Sequence, residues 1–219
     1  MANQDSRMTT SEPPPAPPRA TLLRVLLDVD AAVSLHIYTF FHPIIPFPLL
    51  KSLEFSGDGR LFFPIILSLL LTRTTTNLLL LNLLLGSFLD LLLIGLLKHL
   101  IQRPRPVYNK NMFLSFAVDH WSFPSGHSSR VSFIATLFYF YSDPVRQVLV
   151  ALSKFDAEAV FVKYFVVVVG LWAAITSVSR VLLGRHFVLD VVIGACLGVA
   201  EGTFVVRVFN YEKLSSLFR

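Results

Sequence analysis

The sequence predicts an all-α membrane protein, a polytopic bundle of six transmembrane helices, and three observations carry that prediction. Of the 219 residues, 54% are apolar and only 15% charged, whereas soluble domains carry about 45–50% apolar and about 25% charged residues. The apolar residues fall in long runs rather than in periodic stripes, so whole helices are set to meet hydrocarbon. The ionisable residues collect where those runs end, because charge near the bilayer interior is costly.

A spanning helix needs about 20 apolar residues, with a range of about 17–25, and six segments approach that length. The first runs from about Leu26 to Ile45, blurred at one end by Asp28 and Asp30 and at the other by Pro43, Pro46 and Pro48. The second, Leu61 to Leu71, is short and must extend back toward Arg60 or tilt. The third, Leu78 to Leu97, is nearly all leucine. The fourth runs from Ser125 to about Tyr141, the fifth from Phe161 to Val178, and the sixth from about His186 to Val208. Gly57-Asp58-Gly59 and Asp143-Pro144 read as turns between spans. Residues 1–20 end in Pro13-Pro14-Pro15-Ala16-Pro17-Pro18 and lack the apolar content to join a core. They are expected to form a disordered tail, ahead of a membrane domain over 21–210 and a short cytoplasmic tail over 211–219. The tail does not read as a secretory signal, having no early apolar region before a small-residue cleavage site.

Six spans put both termini on one side and three charged motif regions together on the other. Lys98 and Arg105 follow the third span, Pro124 to His127 open the fourth, and Ser179 to Asp190 bridge the fifth and sixth. Once Lys98, Arg105 and Arg180 are assigned to chemistry, the remaining basic residues favour the face that carries the termini. That face is expected to be cytoplasmic, and the motif face lumenal or external. The net charge of +5 is modest, and no basic run interleaved with aromatics points to nucleic acid. The single cysteine, Cys196, lies in an apolar run and cannot form an intrachain disulfide.

Each motif has a functional and a plain reading. In Pro124-Ser125-Gly126-His127 the free N–H groups of a helix start suit an anion, and His127 in the first turn can donate a proton. The plain reading is an ordinary helix cap with an interfacial histidine. Lys98 and Arg105 could snorkel to the interface, but Arg105 stands between Pro104 and Pro106, where the chain is stiff and the side chain is aimed. Arg103 serves the site, lipid headgroups or neither. Asp190 inside an apolar span needs a partner, and His186 four residues earlier shares its face if both are helical. The plain reading there is a buried pair that only fixes the helix. Taken together, a carboxylate–imidazole pair beside three cations suits attack on phosphorus. His186 attacks, Asp190 orients it, His127 protonates the leaving oxygen, and Lys98, Arg105 and Arg180 neutralise the phosphoryl oxygens. Three cations would repel a divalent ion, so no metal and no cofactor is expected. His36, His42 and His99 read as interfacial or core residues. Asp119, His120 and Trp121 could shape substrate entry, although interface anchoring explains Trp121 equally well.

These residues resemble the type 2 phosphatidic acid phosphatase superfamily, whose motifs are Lys-x6-Arg-Pro, Pro-Ser-Gly-His and Ser-Arg-x5-His-x3-Asp. Here they read Lys98 to Pro106, Pro124 to His127 and Ser179 to Asp190, complete and in order. The resemblance implies the helical fold of the acid phosphatase and vanadium haloperoxidase type. It also implies metal-independent hydrolysis through a phosphohistidine at His186. Family roles then fall on Lys98, Arg105, Ser125, Gly126, His127, Arg180, His186 and Asp190. A finer likeness is to the small polyisoprenoid diphosphate phosphatases, which include presqualene diphosphate phosphatase, and to the short plant lipid phosphate phosphatases of the beta type. It rests on Arg103-Pro104-Arg105-Pro106, Asn109, Met112-Phe113, Val118-Asp119, Ser122 to His127 and Arg130. It favours a polyisoprenoid diphosphate (farnesyl, geranylgeranyl or presqualene) as substrate, with phosphatidate or lysophosphatidate as the alternative and the endoplasmic reticulum as location. Membrane lipids are the expected surroundings; oligomeric state is not legible. An anion transporter would place charges near the bilayer middle rather than at one face, and a non-catalytic scaffold would tolerate loss of His186.

Overall fold

In the computed structural model residues 22–71, 77–108, 120–153 and 160–208 are described. The Pro-rich 1–20 tail, the 211–219 tail and Asp119 lie outside them. The described residues form eight helices and no strand: α1 (Leu22–Phe41), α2 (Phe47–Ser56), α3 (Gly59–Leu71), α4 (Asn77–Ile101), α5 (Gly126–Phe140), α6 (Ser142–Ser153), α7 (Val160–Leu182) and α8 (Val188–Arg207).

The expected first span, Leu26 to Ile45, corresponds to α1, which ends four residues earlier. α1 stops at Phe41 because a proline restricts the residue before it, and Pro43 and Pro46 follow within five residues. The chain then restarts as α2, with proline tolerated in its first turn. α2 was not foreseen, and it proves central to the site. Asp143-Pro144, expected as a turn, instead lies in the first turn of α6. Aspartate there favours the helix dipole, and the N–H that proline lacks has no intrahelical partner in any first turn. α4, α7 and α8 are long and apolar enough to cross a membrane. α3 has only 13 residues, about 20 Å of rise, against about 30 Å of hydrocarbon.

The expected fourth span corresponds to α5, a helix of 15 residues whose first two turns are walled by protein. α5 packs against α8, α7 and α4, and Ser128 through Ile134 are all buried. A helix walled by helices can carry serine, histidine and arginine that lipid would not accept. The closest approach is to α8, where Gly194, Gly198 and Gly202 recur every fourth residue on the face toward α5. A Cβ at Gly194 would lie 2.5 Å from the Ser125 carbonyl oxygen, and one at Gly198 would overlap that of Ser129. Small residues of this kind let helix backbones touch. Ser128 Oγ donates to the Val191 carbonyl at 2.8 Å, and the Ser125 N–H donates to the Asp190 carbonyl at 2.9 Å. The starts of α5 and α8 are thereby locked to each other.

Farther along the same helices, Phe133, Ile134 and Leu137 of α5 meet Ile66, Leu80, Leu83 and Val205 in the main apolar core. Buried Asp90 of α4 and Glu201 of α8 share the cation Arg130 of α5, whose Nη2 lies 3.4 Å from Asp90 Oδ2. This joins the three helices by charge as well as by packing. Substituting Gly198→Leu should force α5 and α8 apart. The expected cost is about 1–3 kcal/mol, read as a lower melting temperature in detergent with a parallel loss of activity.

Candidate active site

The three motif regions converge at one end of the bundle. Lys98 stands in the last turn of α4, Arg105 in the segment after it, Ser125 at the N-cap of α5, Arg180 in the last turn of α7, and Asp190 in the first turn of α8. Ser125 accepts from the Ser128 N–H as a helix cap, and Gly126 and His127 form the first turn it opens. Lys98 Nζ donates to the Trp121 carbonyl at 3.2 Å. Pro104 bridges to Trp121, and Ser122 N–H donates to the Arg103 carbonyl at 2.8 Å, so the Lys98–Arg105 segment is stitched to the start of α5. His127 Nε2 is buried and has no hydrogen-bond partner among the described residues.

His186 precedes α8, in the turn after α7, so it does not share a helical face with Asp190 as expected. Its Nδ1 lies 2.7 Å from the Ser122 carbonyl oxygen and 3.7 Å from Asp190 Oδ2. A carbonyl only accepts, so Nδ1 carries the hydrogen. In the neutral ring Nε2 therefore keeps its lone pair, and it lies 3.3 Å from Arg105 Nη1. Arg105 also donates to the Arg185 carbonyl at 2.7 Å. Burial holds the His186 pKa well below 6.5, with Arg105, Arg180 and Lys98 adding to the effect. The ring is thus neutral at physiological pH, with its lone pair facing the cations.

Asp190 is committed elsewhere. Its Oδ2 accepts from the Phe187 N–H at 2.9 Å, closing the start of α8, and its Oδ1 pairs with Arg103 at 2.7 Å. The expected hydrogen bond from His186 is accepted by a backbone carbonyl instead, because the start of α8 draws the carboxylate of its third residue inward. Arg103 also pairs with Asp30 of α1 at 2.7 Å and stacks its guanidinium 4.1 Å from the Phe187 ring centre. Asp30 and Ser34 in turn accept from the Leu189 and Val188 N–H groups at 3.0 and 2.9 Å.

A carboxylate absent from the motifs completes the cluster. Glu54 of α2 pairs with Arg180 Nη1 at 2.8 Å, with Arg185 Nε at 3.5 Å and with Lys51. Burial alone would raise its pKa, but Arg180, Lys51 and Arg185 together hold it at about 2.

A cluster of cations beside a neutral imidazole in a helix-walled site has the chemistry of a membrane phosphatase. Residues 79–214 match the PAP2 superfamily. The chain is 41% identical over 198 residues to a probable lipid phosphate phosphatase beta of Arabidopsis thaliana, covering 86% of this chain and 92% of that one. It is 32% identical over 166 residues to phosphatidylglycerophosphatase B of Bacillus subtilis, covering 76% and 69%. Among solved structures it is similar to the PAP2-type phosphatidylglycerolphosphate phosphatase of Bacillus subtilis. That match has a TM-score of 0.63 and 28% identity, over 83% of this chain and 85% of that one. LpxE of Aquifex aeolicus shares the fold, with a TM-score of 0.55 and 24% identity over 79% and 94%. The chain belongs to the PAP2 superfamily. It is a membrane lipid phosphatase, of a kind that needs no metal.

Sequence reasoning missed Glu54, Asp30 and Ser122, and left Arg103 undecided. Asp30, like Asp190, is a carboxylate within an apolar run, whereas Glu54 stands in the polar stretch from Lys51 to Arg60, where nothing marks it. Ser122 acts through its carbonyl, which no residue type reveals. His120 is exposed, and His36, His42 and His99 are exposed outside the cluster. Replacing Arg103 by alanine would strand two buried carboxylates, at an expected cost of about 3–5 kcal/mol. The additional substitution Asp30→Asn should recover part of that loss, measured by thermal unfolding of the purified protein.

Proposed function

We propose that the protein hydrolyses polyisoprenoid diphosphates through a phosphohistidine intermediate. The observation that carries this reading is the His186 ring, with Nδ1–H held by the Ser122 carbonyl and Nε2 facing Arg105. Nε2 attacks the terminal phosphorus while the bond to the leaving oxygen breaks. Lys98, Arg105 and Arg180, with the backbone at Ser125 and Gly126, take up the charge on the phosphoryl oxygens. His127, protonated as the anionic substrate arrives, gives its proton to the leaving oxygen. It then takes one from the water that cleaves the phosphorus–nitrogen bond, and orthophosphate leaves. Asp190 acts at 3.7 Å, through its field and by fixing the start of α8, rather than by a direct hydrogen bond.

The diphosphate substrate is supported by the Arg103-Pro104-Arg105-Pro106 stretch. The names of the relatives favour a second reading, a phosphatidate or lysophosphatidate phosphatase of broad specificity. Six spans, cytoplasmic termini and a lumenal site in the endoplasmic reticulum complete the proposal, supported by the basic-residue bias and by motifs at one end of the bundle.

Phosphate release by detergent-purified protein with excess EDTA, on farnesyl diphosphate and on phosphatidate, tests both readings. Release is expected to resist EDTA and to fall by more than about a thousandfold in His186→Ala. Faster turnover of phosphatidate would replace the first substrate by the second. In sealed microsomes the activity should be latent until detergent is added. Because the nucleophile must be neutral and its pKa is depressed, the acid limb of kcat/KM should lie below pH 6.5. An acid limb at or above 6.5 would exclude His186 as the depressed group.

A further inference from the structure

Outside the three motifs, Glu54 is the carboxylate paired with Arg180, one of the site's own cations. Its position is set by the fold. One turn earlier on α2, Leu50 packs against Leu182 and Leu183, and just beyond Glu54, Ser56 Oγ accepts from Trp172 Nε1 at 3.0 Å. The first contact ties α2 to the end of α7 that carries Arg180 and the second ties it to the middle of α7, so the carboxylate rides on a pinned helix. Its two oxygens are divided, with Oε1 facing Arg180 and Arg185 and Oε2 held by Lys51. Arg180 and Arg185 are each 1% exposed. The carboxylate between them offsets the mutual repulsion of two buried cations.

We infer that Glu54 is the resident counter-ion of the phosphoryl site. It holds Arg180 and Arg185 in place in the free enzyme and weakens the site's grip on anions. This rests on the reading of Lys98, Arg105 and Arg180 as the phosphate-binding cations. The physical reason is competition. A guanidinium offers five N–H donors, so Glu54 can stay on Nη1 while a phosphoryl oxygen takes others. The two anions then repel through a poorly screened interior. Substrate and orthophosphate product meet the same cations, so tighter uniform binding would slow product departure without aiding the chemical step. Glu54 is therefore a positioning residue that trades affinity for turnover, a role the motif residues do not serve.

The test uses purified full-length protein and orthophosphate as the probe. Wild type should be inhibited by orthophosphate and should melt at a higher temperature in its presence. Failure of both would remove the phosphate-site reading itself. In Glu54→Gln, inhibition by orthophosphate is expected to strengthen about tenfold, with a larger phosphate-induced rise in melting temperature and a lower kcat. Glu54→Asp, which keeps the charge, should be inhibited like wild type. Unchanged or weaker orthophosphate inhibition in Glu54→Gln, beside normal inhibition of wild type, would overturn the inference. If Glu54→Gln does not fold, the double variant Glu54→Gln/Arg185→Gln should, because the lost charges balance. A double variant that also fails to fold would overturn it equally.

Discussion

Arg103 lies between two buried carboxylates, Asp30 of α1 and Asp190 of α8, with 2.7 Å contacts to both. Each carboxylate also accepts a backbone N–H from the first turn of α8 or the residue before it. This arrangement ties α1, the segment after α4 and the beginning of α8 to one guanidinium. The beginning of α8 in turn fixes α5, through the Ser125 N–H on the Asp190 carbonyl. Burying charges is favourable only when geometry and further hydrogen bonds offset lost hydration, and here nearly every contact also places a residue of the site. The ionic network thus serves as the frame that holds His186 at the Ser122 carbonyl.

The same frame explains why α5 can be so polar. Its first turns carry Ser125, His127, Ser128, Ser129 and Arg130, a sequence hydrocarbon would reject. The glycines of α8 let the two backbones touch, and Asp90 and Glu201 supply the charge complement of Arg130. Packing and electrostatics act on the same helix pair. The interior of the bundle is therefore a protein solvent of its own, in which a phosphoryl group and ionised side chains can meet.

Two kinds of cation surround the expected phosphoryl position. Lys98 and Arg105 donate to backbone carbonyls, of Trp121 and Arg185, which help to orient them. Arg180 is held by a carboxylate, Glu54, which orients it and offsets part of its charge. That pairing arises because α2 folds back onto the end of α7.

The helical class, the membrane setting and the motif residues were legible in the sequence, because each is written in composition or in fixed local spacing. Runs of leucine and valine dictate α4, α7 and α8 whatever they pack against, and Lys98, Arg105, His127, Arg180 and His186 announce themselves as charges at the ends of apolar runs. Tertiary structure alone decided how those groups are wired. Whether His186 meets Asp190 or a carbonyl depended on where α8 begins, a boundary set by long-range contacts from Asp30 and Ser34 rather than by local propensity. The docking of α2, which follows the first apolar stretch, the pairing of Glu54 with Arg180 across 126 positions and the burial of the first turns of α5 among helices have the same origin. Side-chain partners far apart in the chain are chosen by packing, and spacing along the sequence does not encode them.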